Sequence, residues 1–314
     1  EKVRMMRIIA MWINVIKNRA ALIFLMACSV FSLPLLAAPD FSAMKQSAIL
    51  AGAAYGEKSD IQKTLSDLKL PFIQTAVLPG SEVSYFLTNI HQEQSNNKQA
   101  KTVQMIAVRG TANLQNVMVD LDVNFVQDKI LNIQVHQGFA SAAQAVYNHV
   151  KPLLKKDMAV QTTGHSLGGA VAVILAMYLQ KDGYHVQPFM TFGQPKVSNV
   201  GGTQAFPDLP LTRVVTKEDI VPLVPPLSPL QLSNLDIYWH SGEEVILLKA
   251  DKYSITSGLK SMVRATKFTS ALPSEDNLNA HKMTTYLNLI ESKLHQAKEV
   301  PYKTGISVFG MSFD

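Results

Sequence analysis

Five residues, Gly164-His165-Ser166-Leu167-Gly168, constrain this chain more than any other stretch, because of what flanks them. Residues 158–163 read as a short β-strand, and residues 170–180 as a strongly apolar helix ending at Gly183. A serine between the two must sit on a sharp strand-to-helix turn in a strained backbone conformation, and the glycines two residues before and after it leave room for neighbouring segments. Its hydroxyl then projects above a sheet edge, at the positive end of the following helix, where a tetrahedral oxyanion would be stabilised. Ser166 is therefore a candidate nucleophile; the plainer alternative is a helix N-cap among glycines.

A serine hydroxyl needs a base, and the base an orienting carboxylate. On this kind of turn the acid follows the serine along the chain and the histidine comes last, which leaves His240, His281 and His295 of the eight histidines. Asp219 follows a β-branched strand at 211–216, so its carboxylate is expected at the same sheet edge as Ser166, with Glu218 and Asp236 as alternatives. His281 opens a predicted amphipathic helix over 281–295 with Tyr286, Leu287 and Ile290 inward, while His240 lies in strand-like sequence and reads more readily as a packed histidine.

The remaining patterning gives an α/β layered chain. A helix is predicted over 41–55, strands near 83–87 and 103–108 around a polar hairpin loop at 92–101, and a helix from Phe139 that closes at Lys151-Pro152. A further strand is expected at 186–192, a strand pair at 238–248, and an irregular surface excursion at 252–279. Residues 123–125 and 131–135 alternate like a hairpin around Gln127-Asp128-Lys129.

Charge excludes one class of partner. The formal net charge is +5, but residues 1–38 hold five of the 29 basic residues against one acid, so the remainder is nearly balanced and offers no footprint for nucleic acid. Those 38 residues run from a basic stretch ending at Arg19, through apolar residues 20–36, to Ala37-Ala38 before Pro39, which is the pattern of an export signal preceding a single domain at 39–314. A retained membrane anchor is the alternative, as is lipidation at Cys28 within Leu25-Met26-Ala27-Cys28. Cys28 is the one cysteine, so a protein cleaved after Ala38 has neither disulfides nor thiolate metal sites. The expected destination is secreted or periplasmic.

Further motifs accompany the serine: Val108-Arg109-Gly110-Thr111, Val135-His136-Gln137-Gly138-Phe139, Thr163 through Ala170, Thr191-Phe192-Gly193-Gln194-Pro195-Lys196-Val197, the segment from Arg213 to Pro226, and those at 238–245 and 281–286. In this order, over roughly residues 41–295, they resemble the class 3 lipases, the family of the fungal triacylglycerol lipases and many bacterial relatives. The resemblance implies an α/β-hydrolase fold with a mostly parallel central sheet flanked by helices. It implies Ser166 as nucleophile, Asp219 as acid and His281 as base, with an oxyanion hole from the backbone N–H groups of Thr111 and Leu167. It also implies hydrolysis of lipid esters with transient contact with a lipid surface, without metal, organic cofactor or obligate protein partner. Family members often carry arginine where Lys196 stands.

Leu114, Val117, Met118 and Leu121 recur at helical spacing among polar neighbours, so 112–121 reads as an amphipathic helix, either a mobile lid as in the resembled family or a fixed helix on the core. The same triad would also serve a phospholipase A1 or a short-chain esterase. A different class, a non-catalytic lipid-binding surface protein, would keep the fold without the chemistry.

Overall fold

The computed structural model describes residues 38–79, 83–94, 97–111, 124–225, 236–258, 261, 264, 274–303, 307–308 and 311–312. The expected export signal with Cys28, the amphipathic helix at 112–121 and most of the tail beyond residue 303 therefore lie outside the described residues.

The described residues open with α1 (Phe41–Ala53) and α2 (Lys58–Asp67), followed by β1 (Phe72–Leu78), β2 (Val83–Gln94) and β3 (Asn97–Val108). Next come the short β4 (Phe125–Gln127) and β5 (Gln134–His136), then α3 (Gln137–Val150), β6 (Ala159–His165), α4 (Leu167–Lys181), β7 (Phe189–Phe192), β8 (Ser198–Asn199) and α5 (Val200–Gln204). The last part holds β9 (Leu211–Thr216), β10 (Tyr238–Trp239), β11 (Glu243–Leu247), β12 (Lys252–Thr256), α6 (Glu275–His281), α7 (Met283–Glu291) and β13 (Lys298–Glu299). Among the described residues, the main sheet has nine strands in the order β1-β2-β3-β6-β7-β9-β11-β12-β13. Its centre, from β3 to β11, is parallel, with antiparallel pairs toward both edges. This is the α/β-hydrolase fold.

Period-two alternation builds two cores, one on each face. On β2 and β3, Tyr85, Leu87, Ile106 and Val108 join the cluster that contains α3 and α4. Their neighbours Phe86, Met105 and Ala107 join the opposite cluster with Leu50, Ile61 and Leu65 of α1 and α2. Farther along the sheet, Phe192, Val214 and Val245 pack with Met44 of α1 and with Tyr286 and Ile290 of α7. Helix α4 is apolar all round and buried from Gly168 to Leu179, so it is enclosed by sheet and α3 rather than lying on the surface.

Several elements differ from the sequence-based expectations. Residues 238–248 do not pair with each other: β10 joins a small separate sheet with β8, β5 and β4, whereas β11 enters the main sheet. The antiparallel partner of β11 is β12, within the segment expected to be irregular, where Tyr253, Ser254 and Thr256 are buried. His281 ends a helix rather than opening one. The capping box of Ser274 and Asn277 starts α6 six residues earlier than the periodicity suggests, and extended backbone at Lys282 (φ −64°, ψ 137°) separates it from α7. Helix α2 and strand β1 escaped the sequence reading. The hairpin of β4 and β5 forms as expected, with the Asp128 carboxylate accepting from the N–H groups of Ile130 and Leu131.

Register fixes the functional edge. Val108 pairs with Gly164, His165 with Phe192, and Phe192 with Val214, so β3, β6 and β7 end within a residue of one another and β9 runs two residues further. A side chain on Gly168 would overlap the carbonyl oxygen of Val108, and one on Gly164 would overlap the backbone of Gly168 itself. Gly168→Ala is thus expected to destabilise the fold by at least about 2 kcal/mol, because backbone rather than a movable side chain is in the way. Urea denaturation checks this, and an unchanged midpoint would show that β3 and α4 are less closely apposed than described.

Candidate active site

Ser166 occupies the turn between β6 and α4 with φ 57° and ψ −132°, a conformation that costs a non-glycine residue roughly 1–3 kcal/mol. Its N–H is held by the Phe192 carbonyl at 2.9 Å, and the Gly169 N–H bonds back to its carbonyl at 2.9 Å. As first residue of α4, Leu167 carries one of the N–H groups that lack an intrahelical acceptor. Thr111 follows the end of β3, and the close packing of Val108, Arg109 and Gly110 on Gly168 sets this segment beside the start of α4.

Asp219 and His281 lie 62 positions apart in sequence yet share a hydrogen bond of 2.8 Å, the His281 Nδ1–H donating to Asp219 Oδ2. The same oxygen accepts from the Tyr286 hydroxyl at 2.6 Å, and Asp219 Oδ1 from the Val221 N–H at 2.9 Å. Burial alone would raise this carboxyl, but His281, Tyr286 and the Val221 N–H together hold it below the usual carboxylate value. His281 Nε2, the atom that would take a proton from a nucleophile, is buried and has no hydrogen-bond partner among the described residues. The pair rests on Gly193, whose φ of +57° and missing side chain admit it: a Cβ there would lie 2.9 Å from both the Asp219 carboxylate and the His281 ring.

The acid loop is fastened from several sides. Thr216 Oγ1 donates to the Ala280 carbonyl at 3.0 Å, and Asn277 Nδ2 to the Glu218 carbonyl at 2.8 Å, joining α6 to the end of β9. Beyond Asp219, buried Lys196 donates to the carbonyls of Leu223 at 2.6 Å and Pro225 at 2.8 Å. Burial, then the charges of Arg264 and Arg213, pull Lys196 down to about 7. Those two arginines converge on buried Glu244, at 3.1 Å from Arg213 and 2.7 Å from Arg264. Lys196 therefore does structural work where the resembled family often has arginine. His240, the alternative base, has its Nε2–H spent on the Pro222 carbonyl at 2.7 Å, so it is another fastening of the same loop. Glu218 is exposed, and Asp236 is bound by Asn199 at 2.9 Å, whereas the carboxylate bonded to the His281 imidazole is that of Asp219.

Sequence reasoning missed Tyr286 as a polar partner, treating it only as an inward face of a helix. A buried tyrosine in place of phenylalanine is itself the signal, because its hydroxyl needs a partner. It also missed His165, treated only as a spacer in the serine motif. His165 Nε2 lies 2.7 Å from the His281 carbonyl oxygen, and its Nδ1 lies 2.9 Å from the Tyr55 hydroxyl. Because a carbonyl only accepts, Nε2 carries the proton and Tyr55 donates to Nδ1. Burial, reinforced by nearby His281, lowers His165 to about 3. Among the described residues, no group of three or more His, Cys, Asp or Glu side chains is placed to hold a metal ion, and no helix is long and apolar enough to cross a membrane.

The lowered His165 has a linkage consequence. The unfolded chain takes up this proton near its ordinary value of about 6.5, the folded chain only near 3, so stability present above the unfolded value is lost as pH falls. Between pH 6.5 and 4.5, folding stability of the parent should decline more steeply than that of His165→Gln, the difference approaching about 1.4 kcal/mol per pH unit. Urea titrations across that window measure it, and equal slopes would mean that His165 is not held neutral.

Residues 105–228 match the family described as lipase (class 3). A lipase of Rhizopus niveus is 34% identical over 143 residues, covering 41% of this chain and 36% of that protein. A phospholipase A1-II 1 of Oryza sativa subsp. indica is 31% identical over 156 residues, covering 39% of each chain. The chain thus spans little more than a third of the length of these curated relatives. Lipase II from Rhizopus niveus superposes with a TM-score of 0.52 at 26% identity, over 67% of this chain and 80% of that one. The stretch that matches the class 3 lipase model contains both the strained serine and Asp219, so it is in the part carrying these two residues that the chain is similar to that family.

Proposed function

We propose that this chain is a serine carboxylic-ester hydrolase acting on lipid esters in the manner of a triacylglycerol lipase, with Ser166, His281 and Asp219 as its triad. One observation carries the reading: a strained, buried serine shares a sheet edge with a histidine whose Nδ1–H is bound to a buried carboxylate and whose Nε2 has no partner among the described residues. Ser166 Oγ attacks the ester carbonyl carbon as its proton passes to His281 Nε2, and the oxyanion is received by the N–H groups of Thr111 and Leu167. The tetrahedral intermediate collapses when His281 returns the proton to the departing alcohol. Water, deprotonated by His281, then attacks the acyl carbon, and the bond from that carbon to Ser166 Oγ breaks as His281 returns the proton to Oγ, freeing the fatty acid. Asp219 stays ionised throughout, fixing the tautomer and offsetting the imidazolium charge.

A phospholipase A1 with the same triad is the second reading, favoured by the identity to the rice protein of that name. We read residues 1–38 as an export signal that would deliver the enzyme outside the cytoplasm.

Ser166→Ala is expected to lower hydrolysis of a soluble nitrophenyl ester by at least about 10³-fold. A full rate in that variant would exclude the site, and failure of the parent to hydrolyse any ester would favour a non-catalytic lipid-binding protein. With an active parent, rates on triacylglycerol and phosphatidylcholine emulsions decide between the two lipid classes: the first reading expects faster release from triacylglycerol.

A further inference from the structure

Helix α6 ends at His281, and the carbonyl groups of a helix C-terminus lack intrahelical donors. The His281 carbonyl is nevertheless satisfied, by His165 Nε2–H at 2.7 Å, and the two imidazoles lie against each other with centroids 4.4 Å apart. The base therefore sits at a break between two helices, and a neutral histidine next to the nucleophile holds its backbone. Only one tautomer of His165 can do so. That tautomer is selected by Tyr55, whose O–H donates to Nδ1 at 2.9 Å. Tyr55 also reaches the other half of the site. A side chain on Gly110 would overlap both the Tyr55 hydroxyl and the His165 carbonyl oxygen, so the hydroxyl is seated on the backbone one residue before Thr111.

The geometry points to Tyr55 and His165 as a positioning pair that holds the backbone of His281 and the turn at Gly110 in fixed relation, so that base and oxyanion donors face the same carbonyl. This inference rests on the ester-hydrolase reading. Neither residue touches substrate; Tyr55 acts through His165, and His165 through the His281 peptide. Without the hydroxyl, the tautomer protonated at Nδ1 becomes accessible. The Nε2 lone pair would then face the carbonyl oxygen, and their repulsion would open the contact that orients the base. Displacement of a catalytic group by a fraction of its bond length impairs the chemical step more than ground-state binding.

The test compares the parent with Tyr55→Phe, His165→Gln and His165→Leu on a soluble nitrophenyl ester, alongside fluorophosphonate labelling of Ser166. Tyr55→Phe keeps the ring and removes only the donor; its kcat is expected to fall about ten-fold, with KM within about two-fold. The amide N–H of His165→Gln still reaches the His281 carbonyl, so this variant should exceed His165→Leu in kcat by about ten-fold, a rescue that a purely space-filling role would not give. A kcat for Tyr55→Phe within two-fold of an active parent, or equal rates for the Gln and Leu variants, overturns the pair while leaving the hydrolase reading intact. A parent that is neither labelled at Ser166 nor active overturns the hydrolase reading, and the positioning role with it.

Discussion

The carbonyl oxygen of Val108 occupies the space in which any side chain on Gly168 would have to lie. This contact between the end of β3 and the first turn of α4 determines what surrounds the serine. Parallel pairing of Val108 with Gly164 brings the two segments level, and the glycines let them close without a layer of side chains between them. The segment leading to Thr111 is thereby set beside the start of α4, where Leu167 is the first helical residue. The strain at Ser166 persists because its flanks are over-determined: β6 is buried along its whole length, and α4 is enclosed almost to its last residue.

Electrostatics completes what backbone packing begins. Asp219 is fully buried, and such a carboxylate is tolerated only when each oxygen is satisfied; His281, Tyr286 and the Val221 N–H do this. The loop that delivers Asp219 would be free to move if its own carbonyls had no donors. Lys196 and His240 supply them, backed by Arg213, Glu244 and Arg264. Removing one member of such a buried ionic group leaves an uncompensated charge, so the anchor behaves as a unit. Around His281, by contrast, the environment suppresses charge: burial, reinforced by His281 itself, keeps His165 neutral.

Much of this was legible in the sequence because strong local signals agreed with the global fold. The strand, glycine-flanked serine and apolar helix at 158–180 form a single periodic unit, and strand β9 at 211–216 announces the turn that carries Asp219. Legibility failed where tertiary contacts overrode periodicity. His281 terminates α6 because the cap at Ser274 and Asn277 fixes the start of that helix, a signal hidden in a stretch with weak apolar spacing. Strand β12 was invisible because its buried positions include Ser254 and Thr256, which look like loop residues until Glu244 and the Val300 carbonyl receive their hydroxyls. The roles of Tyr55, His165, Lys196 and Tyr286 belong to the same class: each is a polar side chain whose partner lies far away along the chain.

In the proposed mechanism, the strained serine is activated by a histidine oriented through a buried carboxylate. Peptide mapping after exposure to a limiting fluorophosphonate, with Asp219→Asn carried in parallel, tests it most directly. One phosphonyl group per molecule is expected, located on Ser166 and forming at least about 10²-fold more slowly in the Asn variant because the imidazole loses its required tautomer. A label on another residue, or equal rates in the two proteins, would contradict it.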